Sequence, residues 1–65
     1  MSIFQLQAAT LAARTRTGDA AIGTRARNGQ VQIVRVSFDA SGNSTVCPLS
    51  GWMPVRDCVV ALAAI

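Results

Sequence analysis

The sequence predicts a single, small, mostly-β domain. The alternative is an α+β arrangement, an antiparallel sheet packed by an N- and/or C-terminal helix. Three observations carry the prediction. Asn28-Gly29 is a strong hairpin signal, because both central residues of a two-residue hairpin turn take positive φ. It is followed by Gln30-Val31-Gln32-Ile33-Val34-Arg35-Val36-Ser37-Phe38, a long β-branched run. Turn formers then cut the rest of the chain into short segments, at Thr17-Gly18-Asp19, Asp39-Ala40-Ser41-Gly42-Asn43 and Ser50-Gly51.

Residues 2–13 read two ways. Ser2 and Gln5 have the spacing of a capping box, Met1 and Leu6 that of a hydrophobic staple, and the alanines from Ala8 to Ala13 favour helix. Against this, Phe4, Leu6 and Ala8 alternate with Gln5 and Gln7, the period of a half-buried strand. No clean apolar helix face emerges, and the reading leans to strand over 3–8. From Ala20 to Arg27, a strand would put Ile22, Thr24 and Ala26 on one face and Arg25 and Arg27 on the other. In the run after the hairpin the apolar phase slips between Ile33 and Val34, which predicts a bulge or bend near Ile33. Thr45-Val46-Cys47 reads as a short strand stopped by Pro48. The tail again divides. Val55, Cys58, Val59, Leu62 and Ile65 have helical spacing behind Pro54, whereas Cys58-Val59-Val60 has strand composition.

Composition narrows the function class. The 65 residues hold six Arg and three Asp, with no Lys, Glu, His or Tyr. General acid–base work at neutral pH usually falls to the missing types, and arginine is a poor proton shuttle. The chain is therefore expected not to be an enzyme. Residues 1–65 make one domain, of a length that hides only about 60% of its unfolded surface. With 51% apolar and 14% charged residues, the chain is too apolar for disorder. The net charge of +3 favours acidic partners. The first residues lack the basic start and apolar core of a signal peptide, and no apolar stretch approaches a membrane span. The expected location is cytoplasmic, with no membrane partner. Cys47 and Cys58 are expected to be reduced, buried small hydrophobes, and without His they imply no zinc site; no metal or cofactor is expected.

The stretch Gly51-Trp52-Met53-Pro54-Val55-Arg56-Asp57-Cys58 resembles the closing signature of Src-homology-3 type small barrels. In that family a Gly-Trp-apolar-Pro strand leads into one tight helical turn and a short last strand. The resemblance implies a five-stranded barrel spanning about Ala20 to Leu62. It does not carry the family's proline-rich ligand, because Asp57 stands where the signature has Tyr, and Ser44 and Thr45 stand where paired tryptophans usually precede the third strand. Val31-Gln32-Ile33-Val34 is similar to the Val-Gln-Ile-Tyr segment of plasmid-type dihydrofolate reductases. It lies centrally here and ends in Val34, so it adds no expectation.

The candidate partner-binding residues are Trp52, Pro54, Arg25, Arg27 and Arg35. The single tryptophan is a binding anchor on one reading and a core or rim residue on the other. Arg25 and Arg27 share a strand face, and Arg35 is expected to join them across the ladder. Such a stripe suits a phosphate backbone, or it simply keeps an edge soluble. No aromatic interleaves these arginines in sequence. Asp19 and Asp39 sit in turns, Asp57 lies beside Arg56, and Cys58 has no His to activate it, so no catalytic residue is expected. By elimination the expected function is a small non-enzymatic binding module. It would be an accessory protein of the kind phages and mobile elements carry, binding and inhibiting a host protein complex. The alternatives are a nucleic-acid-binding small barrel using the arginine face, and a self-assembling structural protein joined through residues 58–65.

Overall fold

The computed structural model describes residues 3–65. Along the chain run α1 (Ile3–Thr17), β1 (Ile22–Arg27), β2 (Gln30–Phe38), β3 (Ser44–Pro48) and α2 (Val55–Ala63). The strands form one open antiparallel sheet in the order β1-β2-β3. The five-stranded barrel is thereby overturned in favour of the α+β arrangement. Both segments with divided readings are helical, which leaves three strands and two free edges among the described residues.

Helix α1 follows from local chemistry that periodicity concealed, whereas α2 follows the helical spacing of Val55, Cys58, Val59 and Leu62. The buried positions of α1 are Leu6, Thr10 and Ala13, a narrow stripe with a polar residue at its centre. Thr10 is tolerated there because its hydroxyl donates to the Leu6 carbonyl at 2.8 Å. Phe4 and Leu11 point outward, 76% and 63% exposed, so the apolar residues do not mark the buried face. The strand reading over 3–8 fails because alanine-rich propensity outweighs a short alternation. The Ser2–Gln5 box and the Met1–Leu6 staple fall partly outside the described residues. Helix α1 stops at Gly18, whose φ of +70° is strained for any side chain. Its amide donates to the Arg14 carbonyl at 2.9 Å, closing the last turn. Asp19 then turns the chain into β1, its Oδ1 accepting the Ala21 amide at 2.9 Å.

Pro54 is the N-cap of α2, with φ −60° and ψ 155°. A full helix follows, not the single helical turn and last strand that the barrel resemblance implies. Arg16 of α1 fastens its far end, donating to the carbonyls of Leu62 at 2.5 Å and Ile65 at 3.3 Å. The Leu62 carbonyl also accepts the Ile65 amide at 3.3 Å, and a cation suits the negative end of the helix dipole.

The hairpin turn has φ +52° at Asn28 and +76° at Gly29, as the sequence requires. Strands β1 and β2 pair without interruption from Arg27 opposite Gln30 to Ile22 opposite Arg35. There is no bulge in β2 at Ile33. The phase slip arises because β2 is apolar on both faces. Val31 and Ile33 point into the core beneath the helices, whereas Val34, Val36 and Phe38 point away from them. The irregularity lies on the neighbouring segment. Leu49 donates to the Ile33 carbonyl at 2.8 Å and Met53 bridges Val31, so four steps of that chain face two of β2. Ser50 fills the gap, its Oγ accepting the Ile33 amide at 3.0 Å.

The core joins Leu6 and Ala13 of α1, Ile22, Val31 and Ile33 of the sheet, and Cys58 and Leu62 of α2. Residues 58–65, the seam of the self-assembling alternative, place Cys58 and Leu62 in the chain's own core and leave Val60 and Ile65 exposed. The two cysteines are free and differ in setting: Cys58 is buried and Cys47 is exposed on β3, contrary to the expectation that both are buried. In the native protein, a thiol reagent such as Ellman's should titrate Cys47 at once and Cys58 only after denaturant is added.

Burial pushes the Cys58 thiol above its ordinary 9.0. The unfolded chain therefore gives up this proton at lower pH than the folded one. Stability should be level below about pH 8 and fall as pH rises through about 9, by at most about 1.4 kcal/mol per pH unit. Urea midpoints measured from about pH 7 to about pH 10 should show the descent in the wild type, and its loss in Cys58→Ala.

Candidate binding face

The two helices cover one side of the sheet. The register turns Gly23, Arg25 and Arg27 of β1 to the other side, with Gln30, Gln32, Val34, Val36 and Phe38 of β2 and Ser44, Val46 and Pro48 of β3. None of these residues carries a carboxylate. Asp19 and Asp39 are spent in turns, and Asp57 lies on α2.

At one end of this face the chain brings together residues far apart in sequence. Met53 is paired with Val31 and turned toward the core, so Trp52 beside it emerges on the far side. The Arg27 guanidinium lies 4.5 Å from the centre of the Trp52 ring, and that of Arg25 lies 5.5 Å from it. Both distances are within the range of cation–π attraction. Beneath them Gln32 is only 6% exposed, the most deeply buried polar side chain of the strands. Its Oε1 accepts from Arg25 Nε at 2.8 Å, and its Nε2 donates to the Ser50 carbonyl at 2.9 Å. The amide therefore ties Arg25 to the irregular segment that presents Trp52. Arg25 and Arg27 meet no carboxylate; the ion pairs among the described residues are Arg35 with Asp19 and Arg56 with Asp57.

The sequence-derived candidates thus separate. Trp52, Arg25 and Arg27 form one cluster. Arg35 does not join it: it stands opposite Ile22 on the helix side of the sheet, 3.6 Å from Asp19. Pro54 caps α2 and is exposed, two residues beyond Trp52. Trp52 is half-buried and lies outside the core cluster. The missed residue is Gln32. Its signal was a lone amide in the middle of a β-branched run, where an unpartnered polar group would be costly. The missing aromatic among the arginines is Trp52, delivered by the fold from a segment more than twenty residues away.

Gln32→Leu should cost about 1–3 kcal/mol, because it strands Arg25 Nε and the Ser50 carbonyl. A fall in urea midpoint should come with a shift in Trp52 emission, as Arg25 loses its tether.

At the opposite end the same face is apolar: Phe38 is 72% exposed and Val46 43%, with Val36 between them in the ladder. Two surface grooves flank β1, and among the described residues Arg14 and Arg35 are the ionisable ones that line them. Among the described residues no three His, Cys, Asp or Glu gather as a metal site, and no helix is long and apolar enough to cross a membrane. The chain matches no protein-family model, no curated protein and no solved structure. The chemistry of this face is therefore what points to a function.

Proposed function

We propose that the protein is a non-enzymatic binding module whose helix-free sheet face engages a partner protein, as an accessory factor that occupies and inhibits a host protein complex. The observation that carries the reading is the Arg25–Arg27–Trp52 cluster. Two guanidiniums lie over one ring on a face without carboxylates, and an apolar patch continues beyond them. Trp and Arg are the residue types that dominate binding energy at protein interfaces, and tying down their side chains lowers the entropy lost on binding. A nucleic-acid reading shares the two arginines. It is less well supported, because the Trp52 ring that would stack a base is already engaged by guanidiniums.

The test is affinity capture from lysate of the source cell, with nuclease-treated and untreated halves, using wild type beside an Arg25→Glu/Arg27→Glu variant. A protein retained by wild type in both halves and lost by the variant supports the reading. Retention that ends with nuclease treatment would transfer the face to nucleic acid.

A further inference from the structure

The geometry points to an acidic-apolar peptide segment as the occupant of this face: carboxylates seated on Arg25 and Arg27, and an apolar side chain seated on Val36, Phe38 and Val46. The inference rests on the binding-face reading and adds the chemistry of the partner.

Charge complementarity carries it. The cationic end has two guanidiniums with no carboxylate partner, and the strand positions around them carry none. The site is held in place. Arg25 uses its Nε on Gln32, which leaves its Nη groups to donate outward. Both guanidiniums lie over the ring, a contact made through its π face that leaves N–H donors for the two oxygens of a carboxylate. A built, nine-tenths-buried support under an exposed cation distinguishes this cluster from a loose charged edge.

The other end selects against a polyphosphate. Val36, Val46 and Phe38 offer aliphatic and aromatic surface, and the cations that border it, Arg14 and Arg35, are engaged by the Ile22 carbonyl and by Asp19, so a ligand carrying charge at every step would be matched less well there than an apolar side chain. From Gln32 to Phe38 the strand runs about 20 Å. An extended peptide of about six residues spans that length, with acidic residues at one end and a large apolar residue at the other.

The test uses a displayed library of random twelve-residue peptides, panned on the full chain and on three variants: Arg25→Ala/Arg27→Ala, Phe38→Ser/Val46→Ser, and Arg56→Ala as an off-face control. The expected result is enrichment of peptides with clustered Asp or Glu followed by an apolar residue. Each face variant should weaken them at least tenfold, Arg56→Ala should leave them unchanged, and added salt should weaken them on wild type. Enriched peptides that lack acidic residues, yet are lost on Phe38→Ser/Val46→Ser, would overturn this inference and leave the binding-face reading standing. No enrichment, or enrichment indifferent to every face variant, would remove both. A twenty-residue oligothymidylate is the competing probe. If it binds wild type, loses tenfold or more on Arg25→Ala/Arg27→Ala and displaces the selected peptides, the occupant is nucleic acid and the peptide assignment fails. Circular dichroism of each variant separates lost binding from lost fold.

Discussion

Leu62→Ala is expected to remove about 2–5 kcal/mol of stability, the range for emptying a fully buried leucine site. Leu62 has no exposed surface and shares the core with Leu6 and Ala13 of α1, the sheet residues Ile22, Val31 and Ile33, and Cys58 one turn back. A chain of this length has a total of about 3–10 kcal/mol to lose. A single truncation therefore takes about a fifth of it or more, and in a marginal case leaves the chain unfolded at 37 °C. The loss is large because this side chain sits where both helices meet the sheet, so its removal loosens both layers. Urea unfolding followed by Trp52 emission should show a large drop in midpoint with little change in slope. Val60→Ala is the comparison: two residues earlier on the same helix and 66% exposed, it should change stability by less than about 0.5 kcal/mol. Equal losses for the two variants would refute the docking of α2 by this face.

The second large effect is on binding. Arg25→Ala/Arg27→Ala should weaken the partner about 100-fold, from roughly 1.4 kcal/mol for each charge-assisted contact. The Arg25→Ala half of this change also takes the donor from the buried Gln32 Oε1, which costs about 1–3 kcal/mol of stability. Cation–π contacts at partly exposed rings contribute about 0.5–1 kcal/mol each, and Gln32 keeps its bond to Ser50. Loss of affinity in Arg27→Ala alone, which spares the Arg25–Gln32 bond, with a nearly unchanged urea midpoint is the signature of a recognition role. The Lys-for-Arg pair at the same positions should recover only part of the affinity, since an ammonium keeps the charge but not the planar fork. Full recovery would mean that bulk charge, not bidentate geometry, governs the contact.

The two predictions bear on different links between sequence and function, and those links were not equally legible. The hairpin was fully readable, because Asn28-Gly29 encodes its turn locally and β2 announces itself by composition over nine residues. The outward aim of Arg25 and Arg27 was readable for the same reason, since strand alternation fixes it once the hairpin is granted. Helix α1 was not readable as such. Its buried stripe contains Thr10 and Ala13 while Phe4 and Leu11 face out, so apolar pattern and buried pattern disagree. The phase slip in β2 is visible in the sequence, but a bulge and a sheet apolar on both faces leave the same trace in one dimension.

What the sequence determined by itself is whatever a few neighbouring residues can enforce: the turns, the hairpin, the faces of β1, the absence of histidine and of the usual acid–base groups. What only the tertiary structure decided is which distant segments meet. Whether the alanine-rich N-terminal segment and the tail from Pro54 fold as helices or strands depends on the surface available to bury them. The sheet provides that surface on one side only, through Ile22, Val31 and Ile33. Whether Trp52 faces the core or the arginines depends on the extra residues between Leu49 and Met53, which set its side of the sheet. Arg35 was lost to the site for the same kind of reason, since its place in the ladder puts it beside Asp19 and across from Ile22. Local propensity is set by chemistry within a few bonds. A binding cluster is set by register and packing, which are properties of the whole chain.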